Sequence, residues 1–174
     1  DTGYIGNEEC PDVEDYLSSV QMGLGMPLSR AHGKTPREPW QYGDMALKEV
    51  KKWINFRHRL VPYLYHTACQ SHQFGIPMIR PLVMEYPKDP IAKIQNLSYM
   101  LGDALLISPG FDRDEYELYL PEGRWQDIES KEVYVGKTFV HIENKAFADG
   151  GTSLRVFQKE GTSIPLFAQK EVLH

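Results

Sequence analysis

Residues 57–87, "RHRLVPYLYHTACQSHQFGIPMIRPLVMEYP", decide how the chain is read. Two kinds of text meet in this stretch. Up to Gln73 the apolar residues recur at helical spacing, whereas beyond Gly75 and Pro77 the chain breaks into short apolar runs separated by prolines. Gly75 and Pro77 are stop signals, because glycine accepts a left-handed cap and proline cannot extend the donor ladder. Upstream, the helical pattern runs back to about Asp44, with Leu47, Val50, Ile54, Val61, Leu64 and Ala68 on one face. Pro62 lies inside the pattern. It has no backbone donor, and its ring crowds the carbonyl four residues back. The expectation is one long helix, 44–73, kinked near residue 62, with Tyr63 or Tyr65 at the seam between the two texts.

Toward the N-terminus, "DVEDYLSSVQMGLG" (12–25) reads as a helix. Asp12 or Asp15 is its N-cap, Val13, Leu17 and Val20 form its apolar stripe, and Gly23 and Gly25 end it. "PLSRAHG" (27–33) is short and strand-like, with Gly33 as punctuation. The chain opens on "DTGYIG", which resembles a strand end followed by a glycine-rich turn. Strand end, helix, strand, helix is the rhythm of parallel α/β architecture. Two such units of roughly 30 residues make about a quarter of a (β/α)8 barrel, which typically needs about 250 residues. A quarter barrel cannot bury its strands alone. The remainder of the barrel, in the same protein or in a separate chain, is therefore an expected partner, and residue 1 is not expected to be the start of the protein.

Toward the C-terminus the text is β. "PMIRPLVMEYP", "DALLISPG", "EYELYLP", "EVYVGKTFVHIE" and "LRVFQKEGTSIPLF" are strand-like runs. In "EYELYL", Tyr116, Leu118 and Leu120 alternate with Glu115, Glu117 and Tyr119, the period of a half-buried strand. "LPEGRW" and "ADGGTS" carry turn chemistry, and Trp125 is expected in a sandwich core. "DPIAKIQNLSYM" is the exception, read as a helix or a pair of helical turns. The domain reading is 1–75 for barrel βα units and 76–174 for a β-sandwich.

Composition excludes more than it assigns. The chain is 41% hydrophobic and 25% charged, with net charge −5. Its 19 Lys and Arg are scattered, so no basic footprint points to nucleic acid. No apolar run reaches the roughly 18 residues of a membrane helix. Cys10 and Cys69 are far apart and form no CxxC, which argues against zinc or a dithiol centre. Reduced thiols in a reducing, cytoplasmic compartment are the first reading, and a disulfide is the other. His58, His66 and His72 are spaced eight and six apart along the helix, not four, so they make no two-ligand face. No metal or cofactor is expected.

Functional groups of a barrel gather where strands end. Asp1 and Tyr4 lie at one such end, and Arg30 and His32 at another. A carboxylate can accept two hydroxyls at once, while guanidinium and imidazole donate, a set suited to a polyhydroxylated ligand. The alternative is that Asp1 forms a turn and that Arg30 and His32 make structural hydrogen bonds. Trp40, in the proline-rich "REPWQYG", is either a stacking platform for a sugar or a packing anchor.

"DTGYIG", "PLSRAHG", "REPWQYG", the stretch 57–87, "YMLGDALLISP", "YLPEGRWQD" and "VFQKEGTSIPL" occur in the order and spacing of one family. In these motifs the chain resembles glycoside hydrolase family 31, the α-glucosidase and α-xylosidase family, over nearly its whole length. The resemblance implies the last quarter of a (β/α)8 TIM barrel followed by a proximal C-terminal β-sandwich, an α/β plus β chain. It implies retaining hydrolysis of α-glycosides through a covalent glycosyl-enzyme, with two carboxyls about 5–5.5 Å apart. The family's nucleophile and acid/base aspartates precede the motif that Asp1 opens, so no catalytic residue is expected here. Asp1 matches the aspartate of the family motif Asp-Ile-Gly-Gly-Phe. Thr2 stands for its Ile, Tyr4 for its second Gly and Ile5 for its aromatic; a shortened loop would instead put Tyr4 in the aromatic place. His32 maps to the histidine that hydrogen-bonds sugar hydroxyls in the −1 subsite, and Arg30 to its companion. A carbohydrate substrate follows from the same resemblance. Rival readings are a transglycosylase or an α-glucan lyase on the same scaffold, or a non-catalytic carbohydrate-binding module.

Overall fold

A computed structural model describes residues 11–33, 35–109, 115–143 and 154–168. Helix α1 spans Val13–Leu24, and of the two candidate caps Asp12 is the one used: its side chain accepts from the Asp15 N–H at 2.9 Å. Tyr16, Leu17 and Val20 of α1 pack on Ala46 and Val50 of α2, which spans Gly43–Arg59 and follows a 3₁₀ turn at Pro39–Tyr42. The expected single long helix is two. α2 is capped at Leu60, whose N–H reaches both Phe56 O and Arg57 O, and α3 begins at once, Val61–Phe74. Pro62 thereby falls in a first turn, where its missing donor has no intrahelical acceptor to lose. α3 ends at Gly75, which takes the left-handed conformation (φ 68°) that glycine adopts without strain.

The break also corrects the expected core face. Leu47, Ile54 and Val61 are exposed, and only Val50 and Leu64 of the predicted stripe are buried. The buried line runs through Ala46, Val50 and Trp53, then Leu60, Tyr63, Leu64 and Thr67. Large aromatics (Trp53, Tyr63) claim the interior, and the interruption at Leu60 resets the helical phase.

Among the described residues eight strands follow: β1 Ile79–Pro81, β2 Tyr99–Leu101, β3 Leu105–Ser108, β4 Glu115–Leu120, β5 Arg124–Asp127, β6 Val133–Val135, β7 Thr138–Glu143 and β8 Arg155–Lys159. They form a six-stranded sheet in the order β1-β2-β3-β8-β5-β6 and a two-stranded sheet β4-β7, with every pairing antiparallel. Met100, Leu106, Trp125 and Phe157 of the large sheet meet Tyr116, Leu118, Leu120, Val140 and Ile142 of the small one. The other face of the large sheet, with Leu101, Leu105, Ile107 and Val156, packs on Trp53, Leu60, Tyr63 and Leu64. The large sheet is thus a middle layer between the helices and the small sheet.

One expectation within this region is corrected and another is narrowed to its second alternative, turns in place of a helix. The run 77–87 is strand only at β1; a short helix, α4 (Leu82–Glu85), takes over after Pro81, whose missing donor ends the ladder. Of the two readings of residues 89–100, a helix or a pair of helical turns, the structure has turns, at 90–94. Asp89 Oδ1 accepts from Ile91 N and Ala92 N, closing turns through residue 94, and β2 follows.

The seam is fixed at Tyr63, which is buried, and not at Tyr65, which is exposed. The Tyr63 hydroxyl donates to Leu101 O at 2.7 Å and accepts from Ala104 N at 3.1 Å. Gly102 sits between those two residues with φ 64°, and a Cβ there would stand 2.3 Å from the Tyr63 hydroxyl. A second tie joins Arg59 and Phe167, which exchange hydrogen bonds: Phe167 N to Arg59 O at 2.9 Å and Arg59 Nε to Phe167 O at 3.3 Å.

One further expectation is corrected. "PLSRAHG" forms no strand. A parallel barrel strand is paired by neighbours on both sides, and among the described residues every ladder is antiparallel and belongs to the sandwich.

A clamped loop carries the candidate functional site

Without a ladder, the loop that carries Arg30 and His32 is held by side chains. On its N-terminal side, successive carbonyls at the end of α1 are gathered by two residues. Arg57, from α2, donates through Nη1 to Leu24 O at 3.1 Å and to Met26 O, and through Nη2 to Pro27 O at 2.7 Å. Tyr99, from β2, donates to Gly25 O at 3.0 Å. Gly25 is required by this approach: a Cβ would lie 2.8 Å from the Tyr99 hydroxyl. Burial lowers the Arg57 pKa and raises that of Tyr99. A guanidinium nonetheless keeps its charge in proteins, so these are charge-assisted bonds.

On the C-terminal side the Tyr16 and Tyr42 rings stack, 3.8 Å apart and 3° from parallel. Tyr16 donates to Arg37 O at 2.9 Å and Tyr42 to Pro36 O at 3.0 Å. Burial, with Tyr42 beside it, pushes the Tyr16 phenol up to about 12, so it stays a donor at physiological pH. The Arg37 guanidinium is buried against Gly33, where a Cβ would come within 2.9 Å of its Nε. At φ 150° that position suits glycine in any case.

Between the two brackets Arg30 and His32 are exposed. Trp40 is 62% exposed on the 3₁₀ turn beyond the second bracket. Asp1 and Tyr4 lie outside the described residues, as does Cys10, while Cys69 is exposed with a free thiol on α3. Among the described residues no cluster of His, Cys, Asp and Glu could hold a metal ion, and no helix is long and apolar enough to cross a membrane. Trp125 is buried in the sandwich core, with its indole N–H donating to Pro121 O at 2.9 Å. Sequence reasoning missed the clamp residues Arg57, Tyr99, Tyr16 and Tyr42. Arg57, Tyr99 and Tyr16 act on backbone far away along the chain, and Tyr42 reaches back six residues to Pro36 O; no periodic pattern marks any of them.

An exposed imidazole and guanidinium two residues apart on a clamped loop can present donors to hydroxyls of an approaching ligand. Comparison with known proteins places this loop. Residues 2–67 match the model of the glycosyl hydrolases family 31 TIM-barrel domain, and residues 75–171 that of the family's C-terminal domain. The chain is 31% identical over 165 residues to a 1,6-alpha-glucosyltransferase of Sporosarcina globispora, covering 92% of this chain and 13% of that protein. It is 33% identical over 162 residues to neutral alpha-glucosidase AB of Homo sapiens, covering 89% of this chain and 17% of the relative. Among solved structures it resembles a Flavobacterium johnsoniae GH31 dextranase complexed with glucose, with TM-score 0.80 and 33% identity over 90% of this chain and 20% of that one. The chain thus spans less than a fifth of the length of either curated relative. With both domain models matched in order, it belongs to glycosyl hydrolase family 31, as the C-terminal part of the TIM barrel followed by the C-terminal domain.

Proposed function

We propose that this chain is the C-terminal portion of a retaining α-glycosidase. The whole protein would hydrolyse α-glucosides, α-xylosides or related α-glycosides through a covalent glycosyl-enzyme. Residues 1–75 are the last βα units of the barrel, and the remainder of the barrel supplies the nucleophile and acid/base carboxylates. Asp1, Tyr4, Arg30, His32 and Trp40 contact the sugar. The observation that carries this reading is the pair of family matches that succeed one another across the end of α3, with the Arg30–His32 loop inside the barrel match. The helical first third argues against a stand-alone carbohydrate-binding module. A cytoplasmic location belongs to the same reading, and alkylation of Cys10 and Cys69 in intact cells tests it.

His32 is assigned to hydroxyls that shift as the ring flattens toward an oxocarbenium-like transition state, where its bonds strengthen. In the complete protein His32→Ala should lower kcat, not only raise KM, by roughly 10- to 150-fold in kcat/KM. Asp1→Ala should do as much or more, since one carboxylate holds two hydroxyls. Melting temperatures on the same preparations separate this from loss of fold. Wild-type kcat/KM in both variants would sink the site.

A second reading has one observation in its favour: the S. globispora relative is named as a glucosyltransferase. Product analysis decides between them. Free sugar as the main product means hydrolysis, and longer oligosaccharides mean transfer.

A further inference from the structure

Among the described residues the Arg30–His32 loop carries no ladder, and side chains hold the backbone at both of its ends. Its N-terminal end is held at the carbonyls of Leu24, Gly25, Met26 and Pro27, which follow one another in the chain. Only arginine presents several N–H donors in one rigid plane, so Arg57 fixes direction as well as distance; a lysine meets carbonyls as a mobile point charge. Tyr99 adds a donor from the middle layer of the sandwich. Pro27 precedes His32 by five residues, so a shift of the held end is passed on over a short stretch of chain.

We propose that Arg57 and Tyr99 are positioning residues for Arg30 and His32, and that through Tyr99 the sandwich sheet sets the geometry of the sugar site. The inference rests on the reading that Arg30 and His32 contact the sugar. It gives the C-terminal domain a part in the reaction although it holds no reacting group.

The test is a double-mutant cycle in the complete protein. Arg57→Lys, Tyr99→Phe and His32→Ala are made singly, and each of the first two is combined with His32→Ala. Kinetics are expressed per folded enzyme, and melting is followed on the same samples. Arg57→Lys should lower kcat/KM roughly tenfold, with kcat carrying most of the loss. Tyr99→Phe, which removes one hydroxyl, should lower it about two- to tenfold. In the His32→Ala background both losses should largely vanish, because the residue they act through is gone. A purely architectural role predicts the same factor in both backgrounds. If Arg57→Lys fails to fold, Tyr99→Phe carries the test, since it keeps the ring packing. A damaging His32→Ala together with harmless or fully multiplicative clamp variants would overturn this inference alone. A harmless His32→Ala would overturn the site reading, and the inference with it.

Discussion

The sandwich and the helical first third solve the same problem in different ways. Each must pair its backbone polar groups, since an unpaired buried amide or carbonyl is costly. The sandwich does it with antiparallel ladders, and most of its strands are short and separated by brief turns. In the first third, residues 27–33 have no ladder among the described residues, and Arg57, Tyr99, Tyr16 and Tyr42 meet carbonyls at 24–27 and 36–37. Ladders tolerate many sequences because backbone does the bonding. Clamps depend on a few side chains, so the same loss of one residue has different consequences in the two regions. In the sandwich it removes packing and leaves the pairing intact; in the loop it removes the pairing itself.

The largest effect expected from this contrast is in the sandwich core. Trp125 is fully buried between the sheets and bonded to Pro121 O. Trp125→Ala should destabilise the protein by about 3–5 kcal/mol, the usual range for emptying a large aromatic site. Hydrogen exchange should show faster opening of β4, β5, β7 and β8, with α1 much less affected. A loss below about 1 kcal/mol would mean that the site collapses and that the sheets are not a tightly packed unit.

At the seam the expected effect is smaller. Tyr63→Phe keeps the ring and removes the hydroxyl that serves both Leu101 O and Ala104 N. Two buried backbone groups then lose their partner, which should cost about 1–3 kcal/mol. If the seam couples the regions, unfolding of α3 and of β2–β3 should be advanced together. Advance of one without the other, seen by exchange, would break the coupling.

The sequence reveals the sandwich better than the loop, for a physical reason. The alternation of Tyr116, Leu118 and Leu120 is a local pattern, and it predicts the inward face of β4 correctly. Tyr119 breaks the alternation and is buried all the same, because its hydroxyl reaches Asp89 at 2.6 Å and its ring meets Phe139. That partner is 30 residues away along the chain. β2 was hidden because Ile91, Ala92 and Ile94 imitate a helical stripe, while Asp89 caps only a turn. Arg30 and His32 were found through a motif. Their supports were not, since Arg57 acts across 30 to 33 residues and Tyr99 across 74. Periodicity carries no information at such separations.

The smallest effect, and the one most open to control, is on the outer face of the small sheet. His141 of β7 lies directly opposite Glu117 of β4, with Nδ1 2.8 Å from Oε1. Its Nε2 is 3.6 Å from Glu115 Oε2 and 3.8 Å from Glu143 Oε1. The hydrogen bond to Glu117, with the charges of Glu117, Glu115 and Glu143, raises the imidazole pKa above its ordinary value. Protonation is therefore favoured in the folded state. The stabilisation is fully present below the unfolded value of about 6.5 and is lost as pH rises through the higher folded value. All four groups are exposed, so the effect is modest and salt should weaken it. Melting of the wild type against His141→Gln should show the wild type ahead at about pH 6, with the gap closing by about pH 8.5. Added salt should shrink the gap at pH 6 and leave pH 8.5 unchanged. A gap independent of pH would mean that His141 acts through strand packing alone, and that even this exposed face of the sandwich is held by its ladder and not by charge.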